Sequence, residues 1–171
     1  EYNPFHNGHL HHLNESKKLT NSDYTIAIMS GNFTQRGEVS IVDKWEKAKM
    51  AINNGVDLVI ELPTLYAISS AENFASGAIK ILNSLGIVDY ISFGSEAKDI
   101  SVLDDIANVL AFEPPQYKTL LSHELARGES YPKARENAVM MYLNNVRRFA
   151  NVLSSPNNIL GIEYLKALKR L

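Results

Sequence analysis

A chain of 171 residues, 45% of them hydrophobic and 21% charged, is long enough to bury a substantial core and fits a globular domain. Its net charge of -2 announces no polyanionic partner, and the absence of cysteine excludes disulfides, thiolate catalysis and cysteine-based zinc sites. No apolar run approaches the roughly 18 to 20 residues of a membrane-spanning helix, and no basic-then-apolar leader opens the sequence, so a soluble, cytoplasmic chain with no membrane partner is expected.

In chain order, Glu1-Tyr2-Asn3-Pro4 reads as the exit of an element, so a strand is expected ahead of it. A helical pattern follows over residues 8–19, then an apolar, β-branched run at 24–29 that reads as a buried strand. A helix at 43–54 with Trp45, Ala48 and Ala51 on one stripe, a strand at 56–60, a helix at 70–85 and a strand at 88–93 come next. Alternation of strand and helix predicts βαβ units and an α/β fold with a Rossmann-like parallel sheet, whose ligands sit beyond the carboxyl ends of the strands.

After Gly94 the pattern becomes helical, at 102–112, 116–127 and 131–143, with Pro114-Pro115 and Gly128 as punctuation. A last helix is expected after Ser154-Ser155-Pro156-Asn157-Asn158, where Ser and Asn suit capping and Pro the first turn. The organisation predicted is a nucleotide-binding domain at 1–100 lacking its first strand, a helical insertion or subdomain at 101–145, and a return to the nucleotide-binding domain at 146–171. The sequence stops inside a helical pattern, so a piece of a longer protein is expected.

The sharpest feature is His6-Asn7-Gly8-His9, placed where a helix begins. A helix N-terminus offers unpaired N–H groups and a positive dipole end, and Gly8 lets backbone approach a phosphate. Two imidazoles one turn apart can donate hydrogen bonds to charge that builds on an α-phosphate as pyrophosphate departs. His6 and His9 are therefore the candidate catalytic pair. The bland alternative is a pair of surface histidines near a cap. His11 and His12 follow and are expected to be solvated; no metal-ligand set is legible.

Ser30-Gly31-Asn32-Phe33-Thr34-Gln35-Arg36-Gly37-Glu38 follows the first strand run at the ligand edge of the sheet. Arg36 can pair with a substrate carboxylate or an RNA phosphate, or with Glu38 as a plain loop salt bridge. Gly94, in Phe93-Gly94-Ser95-Glu96, admits a nucleoside or simply makes a turn. Asp57 and Glu61 read as solvated carboxylates at a strand rim rather than as a base or magnesium ligands. Lys17, Lys18, Lys44, Lys47, Lys49, Arg147, Arg148, Lys166, Lys169 and Arg170 read mainly as solvated faces, with a part in an RNA surface as the alternative.

Together, the Glu1 to His9 stretch, Ser30 to Glu38, Asp57-Leu58-Val59-Ile60-Glu61-Leu62-Pro63, Phe93 to Glu96 and Pro156-Asn157-Asn158-Ile159-Leu160-Gly161 resemble the bacterial tRNA(Met) cytidine acetate ligase family, from first residue to last. The first and last of these motifs are the specific ones; H-x-G-H alone marks only the wider nucleotidyltransferase superfamily. The resemblance implies activation of acetate by ATP to acetyladenylate, then acetyl transfer to N4 of the wobble cytidine of elongator tRNA(Met), giving N4-acetylcytidine. It also implies an ATP site formed by Glu1, Tyr2, Asn3, Pro4, Phe5, His6, Asn7, Gly8, His9, Gly94 and Asn157, with magnesium accompanying the nucleotide. Members of that family are considerably longer, and part of their ATP and tRNA contacts follows the region matched here. H-x-G-H would serve equally an adenylyltransferase acting on a small phosphorylated metabolite, and a nucleotide- or RNA-binding module without catalysis is the alternative from another class.

Overall fold

The computed structural model describes residues 2–97 and 99–171, so Glu1 lies outside the described residues. The chain forms two compact units, one ending at Ser92 and the other spanning Phe93–Leu171.

In the first unit α1 (Asn7–Thr20) leads to β1 (Ile26–Ser30), and α2 (Lys44–Asn53) connects β1 to β2 (Leu58–Leu62). The two strands pair in parallel, Ile26 opposite Leu58 and Ser30 opposite Leu62. Leu13, Met29, Ala51 and Val56 form the buried centre of this βαβ unit, with Tyr2, Phe5, Ala27 and Val59 packed around it. Helices α3 (Thr64–Ala67) and α4 (Ala71–Leu85) follow. Gly77 of α4 lets the two meet closely, because a Cβ there would stand 2.5 Å from the Tyr66 ring.

The α/β character and the parallel pairing match expectation, but both strands begin two residues later than the apolar runs. Thr25 sets that boundary: its N–H is taken by the Asp57 carboxylate at 2.8 Å, and its carbonyl accepts from the Asp57 and Leu58 amides. The ladder starts beyond this clasp, leaving Tyr24 exposed.

The third expected strand, 88–93, makes no ladder among the described residues. Its half-buried Val88, Ile91 and Phe93 explain the apolar pattern, but burial of side chains and pairing of backbone are separate requirements. Side chains hold its end instead: Ser92 Oγ lies 2.6 Å from Ser16 Oγ and 3.2 Å from His12 Nε2. His12 is accordingly half-buried, which corrects the expectation of a solvated ring, while His11 is exposed as expected. His9, His12, Leu13 and Ser16 share one face of α1 at helical spacing.

Helix α2 also turns a different face inward. Trp45, expected on the buried stripe, is 69% exposed, whereas Lys47 is 1% exposed beside Ala51 one turn on. The reason is a hydrogen bond: Lys47 Nζ donates to the carbonyl of Ser30, at the end of β1, at 2.9 Å.

The second unit is helical: α5 (Ile100–Phe112), α6 (Pro115–Ala126), α7 (Tyr131–Tyr142), α8 (Val146–Phe149), a 3-10 turn at Val152–Ser154 and α9 (Pro156–Lys169). Leu103, Ile106, Val109, Tyr117, Val139, Phe149 and Ile162 build its core. Lys166, read as solvated, is buried on α9 against Glu163 at 2.6 Å, and Arg135 of α7 approaches the same carboxylate at 3.5 Å. No helix among the described residues is long and apolar enough to cross a membrane.

Candidate nucleotide site

The H-x-G-H segment forms the entrance of α1, and its two histidines cap the helix reciprocally. His6 is the N-cap residue, in extended backbone (φ -144°, ψ 174°), and its Nδ1 accepts from the Gly8 N–H at 3.1 Å. His9 Nδ1 in turn accepts from the His6 N–H at 3.3 Å. This has the logic of a capping box with imidazoles in place of hydroxyl and carboxylate. The rings lie nearly parallel, centroids 3.6 Å apart. Gly8 is required by this geometry: a Cβ there would stand 2.9 Å from the His6 ring.

Capping also fixes the tautomers. A ring nitrogen that accepts a hydrogen bond carries no proton, so each neutral ring holds its proton on Nε2 and presents a donor there. Burial, with the charge of His6 as a further cause, lowers the His9 pKa to about 4, which keeps His9 neutral at ordinary pH. Tyr2 and Phe5 supply that burial: the Tyr2 ring lies 4.7 Å from both Phe5 and His9, and Phe5 lies 5.7 Å from His9.

The loop after β1 is joined to this entrance. Asn3 Oδ1 accepts from Ser40 Oγ at 2.7 Å and from the Ile41 N–H at 2.8 Å. The first motif of the sequence is thus tied through Asn3 to the residues that directly follow the second. Arg36 is exposed in that loop, and no ion pair to Glu38 occurs among the described residues. Asp57 pairs with Lys17 at 3.6 Å and Glu61 with Lys44 at 2.7 Å, so both rim carboxylates have structural partners. No group of three His, Asp or Glu side chains able to hold a metal converges among the described residues.

In the second unit, Asn157 and Asn158 open α9, and the capping group is one the sequence concealed. Ser155, at the N-cap position, makes no side-chain cap. Glu96 does the work from far up the chain: its carboxylate accepts from the Asn157 N–H at 3.3 Å, Asn157 Nδ2 at 3.0 Å and the Asn158 N–H at 2.9 Å. Asn158 Oδ1 then accepts from the Ala97 N–H at 2.9 Å and Ser95 Oγ at 2.8 Å. Gly94 is exposed, and a Cβ there would meet nothing within 4 Å.

The model of the HIGH Nucleotidyl Transferase family matches residues 1–171. The chain belongs to this family. Within it, the chain is similar to proteins named tRNA(Met) cytidine acetate ligase: 58% identical over 171 residues to that of Acetivibrio thermocellus and 57% to that of a Thermoanaerobacter species, covering 100% of this chain in both cases. It spans 41% and 42% of the length of those relatives. The crystal structure of Thermotoga maritima TmcAL bound with alpha-thio ATP matches with a TM-score of 0.94 and 46% identity, covering 99% of this chain and 42% of that one. At this similarity the α/β fold of the chain is shared with the T. maritima structure.

Proposed function

We propose that this chain is the nucleotide-activating part of a tRNA(Met) cytidine acetate ligase. The observation that carries the reading is the pair of reciprocally capped imidazoles at the start of α1, whose Nδ1 atoms are taken by the caps and whose Nε2 atoms lie beside a positively polarised helix end. The names of the similar proteins and the alpha-thio ATP of the T. maritima structure support the choice of substrate.

In this reading the Tyr2 to His9 segment receives the phosphates of ATP, and Glu1, Gly94 and Asn157 are further nucleotide contacts. An acetate oxygen attacks the α-phosphorus in line; the bond to the β-phosphate oxygen breaks, and pyrophosphate leaves with the electron pair. His6 and His9 donate from Nε2 to the phosphate oxygens that gain charge, without themselves gaining or losing a proton. The exocyclic amine N4 of the wobble cytidine of elongator tRNA(Met) then attacks the acetyl carbonyl of the mixed anhydride. AMP departs, and the amine loses one proton to give N4-acetylcytidine. Arg36, exposed in the loop tied to Asn3, is assigned to the carboxylate of acetate or an RNA phosphate. Magnesium accompanying the nucleotide would neutralise phosphate charge as the α-phosphorus is attacked. The site of action is the cytoplasm, where tRNA and ATP are found.

The deciding experiment is acetate-dependent exchange of labelled pyrophosphate into ATP by the full-length protein, with and without tRNA. Exchange that requires acetate and not tRNA is expected. ATP binding without acetate-dependent exchange would overturn the reading in favour of an adenylyltransferase with another substrate or a binding module.

A further inference from the structure

We infer that Asn3 is a positioning residue that couples the nucleotide segment to the loop carrying Arg36, so that ATP and the second substrate bind cooperatively. The inference rests on the proposed acetate activation for the identity of that second substrate; the tie itself is structural.

A carboxamide oxygen has two lone pairs, and both of those on Asn3 are occupied, one by the Ser40 hydroxyl at 2.7 Å and one by the Ile41 N–H at 2.8 Å. That oxygen therefore holds protein and not ligand. What it holds is a closed loop. Thr34 N–H donates to Glu38 O, Gly37 N–H to Thr34 O and Ser40 N–H to Asn32 O, each at 2.9 Å, and Phe33 and Val39 form an antiparallel bridge. The loop is pinned at its base to α2 through Asn32 Oδ1, which accepts from Lys44 N–H at 2.9 Å, and to the nucleotide segment through Asn3.

Asn3 lies three residues before His6, in the segment whose Tyr2 and Phe5 rings pack on His9. A phosphate that settles on the helix entrance restrains this segment and, through Asn3, the base of the loop. The entropy of ordering the loop is then paid once for both ligands, which is positive coupling, and linkage makes it reciprocal. Coupling of about fivefold to tenfold is expected, at the lower end of ordinary allosteric factors.

The test uses the full-length protein, with α,β-methylene ATP as an unreactive nucleotide, acetate as second ligand, and amide exchange at Ser40 and Ile41. In the wild type, nucleotide should protect the Ile41 amide and tighten acetate binding, and acetate should tighten nucleotide binding by the same factor. Ser40→Ala, which removes one of the two bonds, should reduce the coupling, and Asn3→Ala should bring it below about twofold. The double variant should be no worse than Asn3→Ala alone, because both changes break one connection. Asn3→Asp, whose carboxylate accepts both bonds, should restore the coupling. A merely structural asparagine would lower the melting temperature and leave the coupling factor intact, which would overturn the inference. So would an Ile41 amide that nucleotide leaves unprotected in the wild type. If the wild type binds nucleotide but not acetate, the functional reading fails while the Ile41 amide still decides the tie: protection that Asn3→Ala abolishes upholds it.

Discussion

His9 Nδ1 accepts the backbone N–H of His6 at 3.3 Å while the two rings stack at 3.6 Å, so the proposed catalytic pair is also the cap of α1. Replacing His9 by Ala should lower acetate-dependent pyrophosphate exchange by about 100-fold or more, the usual cost of removing a preorganised donor to a developing charge. The same change should cost about 1 kcal/mol of stability through the lost cap, leaving the fold in place. Exchange kinetics and a thermal melt on one preparation check both, and wild-type exchange in the variant would remove His9 from the chemistry.

The low pKa of His9 sets a direction for the effect of pH. Its ordinary value of 6.5 in the unfolded chain falls to about 4 in the folded one, first because it is buried. Between those values the unfolded chain binds more protons at this residue, so stability rises with pH; the contribution is fully present above about 6.5 and is lost as pH falls toward 4. Urea titrations from pH 4 to 7 should show this slope, and His9→Asn should flatten it.

Lys47 is buried where β1 ends, with its ammonium on the Ser30 carbonyl. Lys47→Ala should destabilise the protein by about 3 kcal/mol, since it opens a cavity and strips a buried carbonyl of its donor. Lys47→Met should recover part of this by filling the space. Chemical denaturation of the three proteins gives the order.

Glu96 fixes the start of α9 through Asn157 and Asn158. Desolvation pushes its carboxyl up, but hydrogen bonds from its own backbone and from Asn158 and Asn157 outweigh this and hold it below the usual value, so its contribution is present at neutral pH and fades in acid. Glu96→Ala should loosen the first turn of α9 and, with Asn157 as a proposed nucleotide contact, weaken ATP binding several-fold. Calorimetric titration with ATP and amide exchange at Asn157 and Asn158 measure the two effects.

Arg36 is exposed and unconstrained by Glu38. Arg36→Ala should raise the Michaelis constant for acetate or tRNA by about tenfold, as expected for loss of a charge-assisted pair, and change that for ATP less. Unchanged constants for both acetate and tRNA would take Arg36 out of the site.

Helix positions were the most legible part of the sequence. Asp43 and Ser70 sit at the N-caps of α2 and α4 and accept from their first-turn amides, and Pro115 and Pro156 occupy the first turns of α6 and α9. Local rules suffice there, because a cap is a contact between residues two or three apart. Hydropathy misled where one side chain outweighed its neighbours: Trp45 drew the buried stripe of α2 toward itself, although Lys47 and Ala51 define it. The Lys47 position is explicable only once Ser30 O is known to lie in reach.

By itself the sequence determined the α/β alternation, the placement of His6-Asn7-Gly8-His9 at a helix entrance and the family to which the chain belongs, because each is carried by residues close together along the chain. Tertiary structure decided what depends on residues distant in sequence. It set the start of the ladder through Thr25 and Asp57, left 88–93 without a strand partner among the described residues, sent Glu96 to cap α9 and tied Asn3 to Ser40 and Ile41. A hydrogen bond spanning some 30 to 60 positions leaves no periodicity to read: it exists only when folding brings donor and acceptor within about 3 Å.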